Sequence, residues 1–207
     1  AETLRVFGMN VFVGTPDTYD LVAFVKNPNA RWLATIEYHF VYSGGETPKE
    51  ATTVLPLAER PVAALGQSLA GYPVGARLVI DDVRWQRVNP HAVPDPSEYL
   101  RSRLMFSTAN LTFDRAYGEE NLPAHQIAFD IANESAYSFW SPAFYVEFRA
   151  GEQPAGLTYL PLDRFLAGET RHIELRSLAP DLIVTDIRLA PLVNVFDPSV
   201  FMEPAPK

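Results

Sequence analysis

Hydrophobic and polar residues alternate with a period of two along most of the chain. Ile36, Tyr38 and Phe40 fall on one side of such a segment, and Glu37 and His39 fall on the other. This alternation is typical of β-strands that bury one face and leave the other in water. Five further segments each place three apolar residues on one face: Leu21, Ala23 and Val25; Val79, Val83 and Trp85; Ile127, Phe129 and Ile131; Phe144, Val146 and Phe148; and Ile183, Ile187 and Leu189. The pattern predicts half-buried antiparallel strands.

Turn-forming residues separate these segments at short intervals. Asn27-Pro-Asn29, Ser43-Gly-Gly45 and Gly71-Tyr-Pro73 are examples in the first half. Each combines residues that favour chain reversal, and no long apolar stripe has the spacing of a helix. Many short strands with such turns predict an all-β protein in which less than about a tenth of the residues are helical.

The same strand and turn pattern occurs twice, about 105 residues apart. Asn27 recurs as Asn133, Leu55-Pro-Leu57 as Leu160-Pro-Leu162, and Asp82-Val-Arg84 as Asp186-Ile-Arg188. A repeat of this length indicates a duplicated domain, because the repeats of solenoid proteins are much shorter. We therefore predict two tandem antiparallel β-sandwiches of the Ig-like or FnIII-like type, over 1–92 and 104–207. Residues 93–103 would form a stiff, extended, proline-rich connector.

Charge excludes some partners. The chain has a net charge of −8: the first 105 residues carry 10 basic and 11 acidic side chains, and the rest carry 7 and 14. Because nucleic acid binding requires a positive field, we expect no nucleic acid partner. No segment has the ~20 apolar residues of a membrane span, so any membrane contact would come through a segment outside this chain. The absence of cysteine excludes disulfides and thiol catalysis.

No motif points to catalysis, a metal or a cofactor. The four histidines, His39, His91, His125 and His172, are scattered and are predicted to be solvated. Asp17 with Asp20, and Asp81 with Asp82, resemble calcium ligands, but ordinary turns are the favoured interpretation because calcium loops contain more carboxylates. Glu119-Glu120-Asn121 is predicted to be a solvated loop. We expect no catalytic residues, no metal site and no cofactor.

Two repeated polar features have structural explanations. Asn27 and Asn133 each follow a strand, where an asparagine side chain can bond its own downstream backbone or tolerate a left-handed conformation. Asp82 and Asp186 each lie two residues before an arginine on the same strand face, where they would help to select the neighbouring strand. All four residues are predicted to be structural.

Aromatic residues after the two asparagine turns are the candidate binding residues. Trp32 follows Asn27, and Tyr137, Phe139 and Trp140 follow Asn133. Exposed aromatic side chains at corresponding loops could form a binding patch. Alternatively, they could fold back as lids over the sandwich ends, and this second interpretation is favoured.

The second copy resembles a known group of domains. Ile131-Ala-Asn133-Glu-Ser135, Phe144-Tyr-Val-Glu-Phe148 and Leu166-Ala-Gly168-Glu169 are similar to the motifs of FxLYD and water-stress/hypersensitive-response domains. The first copy matches less closely, with Val25-Lys-Asn27-Pro-Asn29 and with Leu65-Gly-Gln67 in place of the Gly-Glu step. The resemblance implies Ig-like sandwiches and supplies no catalytic residues.

The stretch from Val13 to Asn29 is similar to envelope proteins of candidate-phylum bacteria, which carry one membrane anchor and two such domains outside. This similarity implies an extracytoplasmic location in the cell envelope. The resulting hypothesis is a non-enzymatic structural or interaction module of a membrane-anchored envelope protein, with protein partners there. The alternatives are a carbohydrate-binding or hydrolase-accessory module that uses exposed aromatic residues, and a soluble stress-protectant protein.

Overall fold

A computed structural model describes residues 1–15, 17–117 and 123–203. Strands account for 57 % of the structure and helices for 6 %, which confirms the predicted all-β class. The chain divides into two compact units, Ala1–Tyr99 and Leu100–Lys207. The division falls inside the predicted connector. The predicted loop Glu119-Glu120-Asn121 lies outside the described residues.

The first unit is a sandwich of two antiparallel sheets. Its strands are β1 (Arg5–Val13), β2 (Thr18–Lys26), β3 (Trp32–Tyr42), β4 (Gly45–Glu46), β5 (Glu50–Val54), β6 (Glu59–Ser68) and β7 (Arg77–Arg87). One sheet has the order β1-β2-β6. In the other, β3 pairs with β7 along one edge and with β4 and β5 along the other. Leu21 and Val62 from the first sheet pack with Ile36 and Phe40 from the second in one core.

The second unit repeats this strand order, except that none of its described strands corresponds to β4. Its elements are helix α1 (Pro96–Arg103), which begins in the first unit, β8 (Phe106–Tyr117), β9 (Pro123–Asn133), β10 (Ala143–Ala150), β11 (Gln153–Pro161), β12 (Thr170–Ser177), β13 (Asp186–Pro191) and a 3₁₀ helix (Pro198–Val200). The sheets are β8-β9-β12 and β11-β10-β13. They enclose a core that includes Phe129, Ile131, Phe144 and Val146.

The turn before β6 corresponds to a different segment of the second unit from the one that the sequence predicted. The backbone N–H of Asn27 donates to Ala58, and that of Asn133 donates to Glu169, each at 2.9 Å. The turn before β6 therefore corresponds to Leu166–Glu169, and the predicted match of Leu55-Pro-Leu57 with Leu160-Pro-Leu162 is wrong. The second unit has extra residues between β11 and this turn, which the similar Leu-Pro-Leu sequences conceal.

The predicted match of Gly168 in the second unit with Gly66 in the first is also wrong. Gly168 occupies the position of Leu57, and both lie in the left-handed region, with φ of 73° and 58°. Gly66, the predicted counterpart, lies instead inside β6, where Gln67 pairs with Tyr19.

The predicted alternation holds for the core face of β3 but fails in β7. Ile36 and Phe40 are fully buried, as expected. In β7 the register shifts opposite Glu37 and Tyr38, so that Asp81 is an extra residue in the strand. This β-bulge reverses the facing direction, and Leu78 and Ile80 rather than Val79 pack on the core.

Two other predicted faces also differ. Ile183 lies before β13 and is 59 % exposed, so it is not a core residue. The polar face of β10 is not wet, because Glu147 and Arg149 are both buried and form an ion pair with each other. Arg149 also donates to the carbonyl of Glu152. Mutual pairing therefore lets charged side chains occupy a buried face.

The proline-rich segment is not one extended path. The N–H of Val93 donates to the carbonyl of Asn89 at 2.9 Å, which closes a turn. Helix α1 begins at Pro96, and the Asp95 carboxylate accepts hydrogen bonds from the N–H groups of Ser97 and Glu98 at 3.0 and 3.1 Å. Proline at the first helical position and aspartate before it are a favoured helix start, which here outweighs the tendency of proline to extend the chain.

Candidate functional site at the Asn133 end of the second unit

Asn133 is fully buried where β9 ends, and its side chain joins three segments. Its Oδ1 accepts hydrogen bonds from the N–H and Oγ of Ser135 at 3.1 and 2.7 Å. Its Nδ2 donates to the carbonyls of Tyr137 and Leu166 at 2.8 and 3.1 Å. The amide thus ties the β9–β10 loop to the turn before β12.

Asn27 holds the first unit in the same way. Its Oδ1 accepts from the N–H of Asn29 at 3.0 Å, and its Nδ2 donates to the carbonyls of Trp32 and Leu55 at 2.6 and 3.1 Å. Neither Asn27 nor Asn133 has a positive φ, so both act through hydrogen bonds rather than through a left-handed conformation. Because both units share it, this arrangement explains the fold and not a function of one unit.

The second unit carries two longer connections at this end. Residues 134–142 join β9 to β10, and residues 162–169 join β11 to β12. The N–H groups of Phe139 and Phe165 donate to each other's carbonyls at 2.9 and 3.0 Å. The N–H of Trp140 donates to the carbonyl of Val200 at 3.1 Å. We call residues 138–140, 164–166 and 200–202 the Trp140 tip.

The Trp140 tip has an inner and an outer side. Phe139 and Phe165 are fully buried, and the Phe139 ring lies 5.6 Å from Phe106. Their neighbours point the other way, because side chains alternate along paired segments. Trp140 and Leu166 are accordingly 48 % and 46 % exposed. The tip therefore presents an apolar surface above buried rings and paired backbone segments.

The predicted aromatic candidates have different surroundings. Phe139 belongs to the core, and the Tyr137 ring lies 5.4 Å from Phe201 and 4.3 Å from the Arg103 guanidinium carbon. Trp140 is exposed. Trp32 begins β3 in the first unit and is half-buried. The structure thus brings Tyr137, Phe139 and Trp140 together, of which Trp140 has the exposed ring.

Arg164 is a site residue that sequence reasoning missed. Its N–H donates to the carbonyl of Trp140 at 2.7 Å, and its guanidinium carbon lies 6.0 Å from the centre of the Trp140 ring. Its φ is 51°, in the left-handed region that arginine rarely adopts. Within 1–15, 17–117 and 123–203 no carboxylate forms an ion pair with it. The extra residues before the Leu166 turn were the sequence signal for it.

Arg171 and Glu169 hold the turn that carries Arg164. The Arg171 guanidinium donates to the carbonyls of Asp163 and Arg164 at 3.0 and 3.1 Å and pairs with Glu169 at 2.5 Å. Glu169 also accepts from the N–H of Leu166 at 2.8 Å. Desolvation opposes ionisation of Glu169, but these hydrogen bonds outweigh it and lower the pKa of its carboxyl group. The turn is therefore fixed from its inner side.

Two histidines elsewhere, His39 and His172, contact carboxylates through both ring nitrogens. His39 contacts Asp81 at 2.7 Å and Glu46 at 3.6 Å, and it is buried, so its predicted solvation is wrong. His172 contacts Asp130 at 2.7 Å and Glu174 at 3.6 Å. The hydrogen bond with His39 lowers the pKa of Asp81.

His125 is also buried, 4 % exposed, in β9 rather than in a loop, so its predicted solvation is wrong too. Its ring stacks on Phe113 at 5.2 Å, and no described residue forms a hydrogen bond with either ring nitrogen. We interpret His125 as a core residue whose hydrogen-bonding capacity is not fully used.

The acidic candidates lie in turns and strands. Asp20 accepts from the N–H of Gly66 at 2.7 Å, and burial raises the pKa of its carboxyl group. Asp82 forms an exposed ion pair with Arg84 at 3.8 Å, whereas Asp186 lies opposite Arg149. In the part of the chain that the structure describes, no three His, Asp or Glu side chains are grouped to hold a metal ion.

No protein-family model matches the chain, and no curated protein sequence matches it. None of the described helices has the length and apolar character needed to cross a membrane.

Proposed function

We propose that the chain is a non-enzymatic interaction module, made of two Ig-like sandwiches, in the extracytoplasmic part of a membrane-anchored envelope protein. The Trp140 tip would be its binding surface. The observation that carries the proposal is the difference between the copies. Among the described residues, the asparagine end of the second unit alone extends into a braced surface with an exposed tryptophan and arginine. These two residue types are the most enriched among residues that dominate protein–protein binding.

The rest of the described surface supports a binding role over a catalytic one. His39 and His172, the histidines closest to carboxylates, lie in different units, and each contacts carboxylates of its own sheet. Both lie on sheets, whereas catalytic groups usually lie together in a cleft. The similarity of residues 13–29 to envelope proteins supports the proposed location.

Site-specific photo-crosslinking in intact cells tests this function. A photoreactive residue in place of Trp140 should yield a defined adduct with an envelope protein. The matched control replaces Tyr159, an equally exposed aromatic residue on β11. Equal labelling at both positions, or protection of the chain from protease added outside the cytoplasmic membrane, would contradict the proposal.

Carbohydrate binding is the second candidate, because the exposed Trp140 ring is also suited to stacking on a sugar. A glycan array distinguishes the two functions. Specific binding of a glycan that is lost in Trp140→Ala and retained in the variant Tyr159→Ala would favour the carbohydrate function.

A further inference from the structure

The backbone of Arg164 is held in a conformation that its side chain opposes. A φ of 51° places its Cβ close to the following carbonyl oxygen, which glycine would avoid. Gly168 and its counterpart Leu57 in the first unit also have a positive φ, but the Arg164 side chain differs from both because its guanidinium lies over the exposed Trp140. Strained non-glycine residues cluster at functional sites, so we look for a function in the Arg164 side chain itself.

The chemistry around Arg164 defines what could bind. The guanidinium carbon of Arg164 lies over the Trp140 ring, 6.0 Å from its centre, and Leu166 lies on the same outer side of the paired segments. Arginine presents a planar fork of donors that matches a carboxylate, and the described residues supply no such partner. The apolar ring and Leu166 would accept hydrophobic side chains next to that carboxylate.

The charge of the second unit restricts the number of carboxylates that a bound partner segment can carry. Residues 100–207 carry 14 acidic and 9 basic side chains, so a run of acidic residues would be repelled. One carboxylate between apolar side chains would meet Arg164 with less repulsion from the rest of the unit.

We infer that Trp140, Arg164 and Leu166 form a receptor for a protein segment with one carboxylate flanked by apolar side chains. The inference rests on the proposed function and adds the chemistry of the partner. The turn brace of Arg171 and Glu169 keeps the receptor in place before binding, which reduces the entropy lost on association.

NMR titration of the full chain with capped tripeptides tests this receptor. The probes are acetyl-Leu-Glu-Leu-amide and its Gln analogue. The Glu peptide should shift the indole N–H of Trp140 and the Nε–H of Arg164, with an affinity at least fivefold higher than that of the Gln peptide. Arg164→Gln should remove this preference, and Arg164→Lys should retain part of it.

Two variants separate binding from folding. Arg115→Gln removes another exposed positive charge from the same unit and should leave the affinity unchanged. Arg164→Gly should abolish the preference for Glu without lowering the midpoint of unfolding, because it relieves the positive φ.

Equal affinity for both peptides, equal weakening in Arg115→Gln, or selective binding of a uronic acid oligosaccharide instead would overturn the inference. A protein crosslink at position 140 combined with failure of the Glu peptide would overturn only the partner chemistry. Loss of the crosslink as well would overturn the proposed function.

Discussion

The asparagine ends of the two units share a buried core and differ in what surrounds it. The backbone N–H groups of Asn27 and Asn133 donate to carbonyls at corresponding positions of the repeat at 2.9 Å, and their side chains form the same kind of hydrogen bonds. Around Asn27 the connections are short, and Arg31 donates to the carbonyls of Val93 and Pro94 at 3.2 and 2.6 Å. Around Asn133 the connections are longer and pair with each other. Duplication thus separates what the fold requires from what one unit has added.

The equivalent sheets differ in a similar way. On the outer face of β1-β2-β6, Phe7 stacks on Phe24 at 5.8 Å. On β8-β9-β12 the corresponding face is polar, and Asn110 and His172 both bond Asp130 at 2.7 Å. The pairing of strands is the same in both sheets, so the faces have diverged while the topology has not.

The largest expected effect comes from the feature that the units share. Replacing Asn27 or Asn133 by alanine leaves buried backbone carbonyls without a donor and should reduce the free energy of unfolding of its own unit by roughly 2–4 kcal/mol. Amide hydrogen exchange on the full chain can measure each unit separately. Asn10→Ala in β1 is the control, and an effect that is large in one unit but absent in the other would break the equivalence.

The pairing of Arg171 with Glu169, which holds the Trp140 tip, should contribute less to the free energy of unfolding, and only in the second unit. Glu169→Gln weakens the pairing with Arg171 and should cost about 1–2 kcal/mol in the second unit, because the pair is only partly exposed. The control is Glu59→Gln, which removes an exposed pair with Lys26.

The same brace predicts a pH dependence. The folded pKa of Glu169 is lowered, so its contribution is present above the unfolded value of about 4.3 and is lost as the pH falls through the folded pKa. Denaturation of the full chain between pH 7 and pH 3 measures it. The acid-induced loss should be smaller in Glu169→Gln, and an unchanged loss would contradict the assignment.

At one core position we expect a substitution to raise the free energy of unfolding rather than to lower it. His125 and Tyr19 occupy the same place in the repeat, but the His125 ring nitrogens are buried and have no hydrogen-bond partner among the residues that the structure describes. His125→Phe should keep the stacking on Phe113 and raise the free energy of unfolding of the second unit by about 1 kcal/mol. The control Tyr19→Phe changes a ring that is stacked edge-on to Tyr72. A destabilised His125→Phe variant would show that the imidazole is satisfied.

The sequence was sufficient to predict the all-β class because alternation and turn residues are local signals. It failed where a single residue changes the geometry, as the Asp81 bulge does in β7. It also failed where charges satisfy each other, because the polarity of Glu147 and Arg149 does not reveal that they pair in a buried position.

The candidate site could be predicted only in part. Trp140 was a candidate from its residue type, but Phe139 was not distinguishable from it, because both follow the same asparagine turn. Arg164 was missed since its role depends on pairing with a segment more than twenty residues earlier. A closer alignment of the two copies would have revealed the extra residues around it.

The smallest expected effect concerns the polar face of the second unit. The hydrogen bond with Asp130 raises the pKa of His172, so the charged imidazole is favoured in the folded state. This stabilisation is complete below the unfolded value of about 6.5 and is lost as the pH rises through the folded pKa. Because the face is exposed, the effect should be slight and reduced by salt. The protection factors of the β12 amides against hydrogen exchange, compared at pH 5.5 and 8.5, measure this stabilisation. The variant His172→Gln should abolish the difference between the two protection factors. A difference of the same size in β6, the equivalent strand of the first unit, would show that the pH effect does not arise from His172.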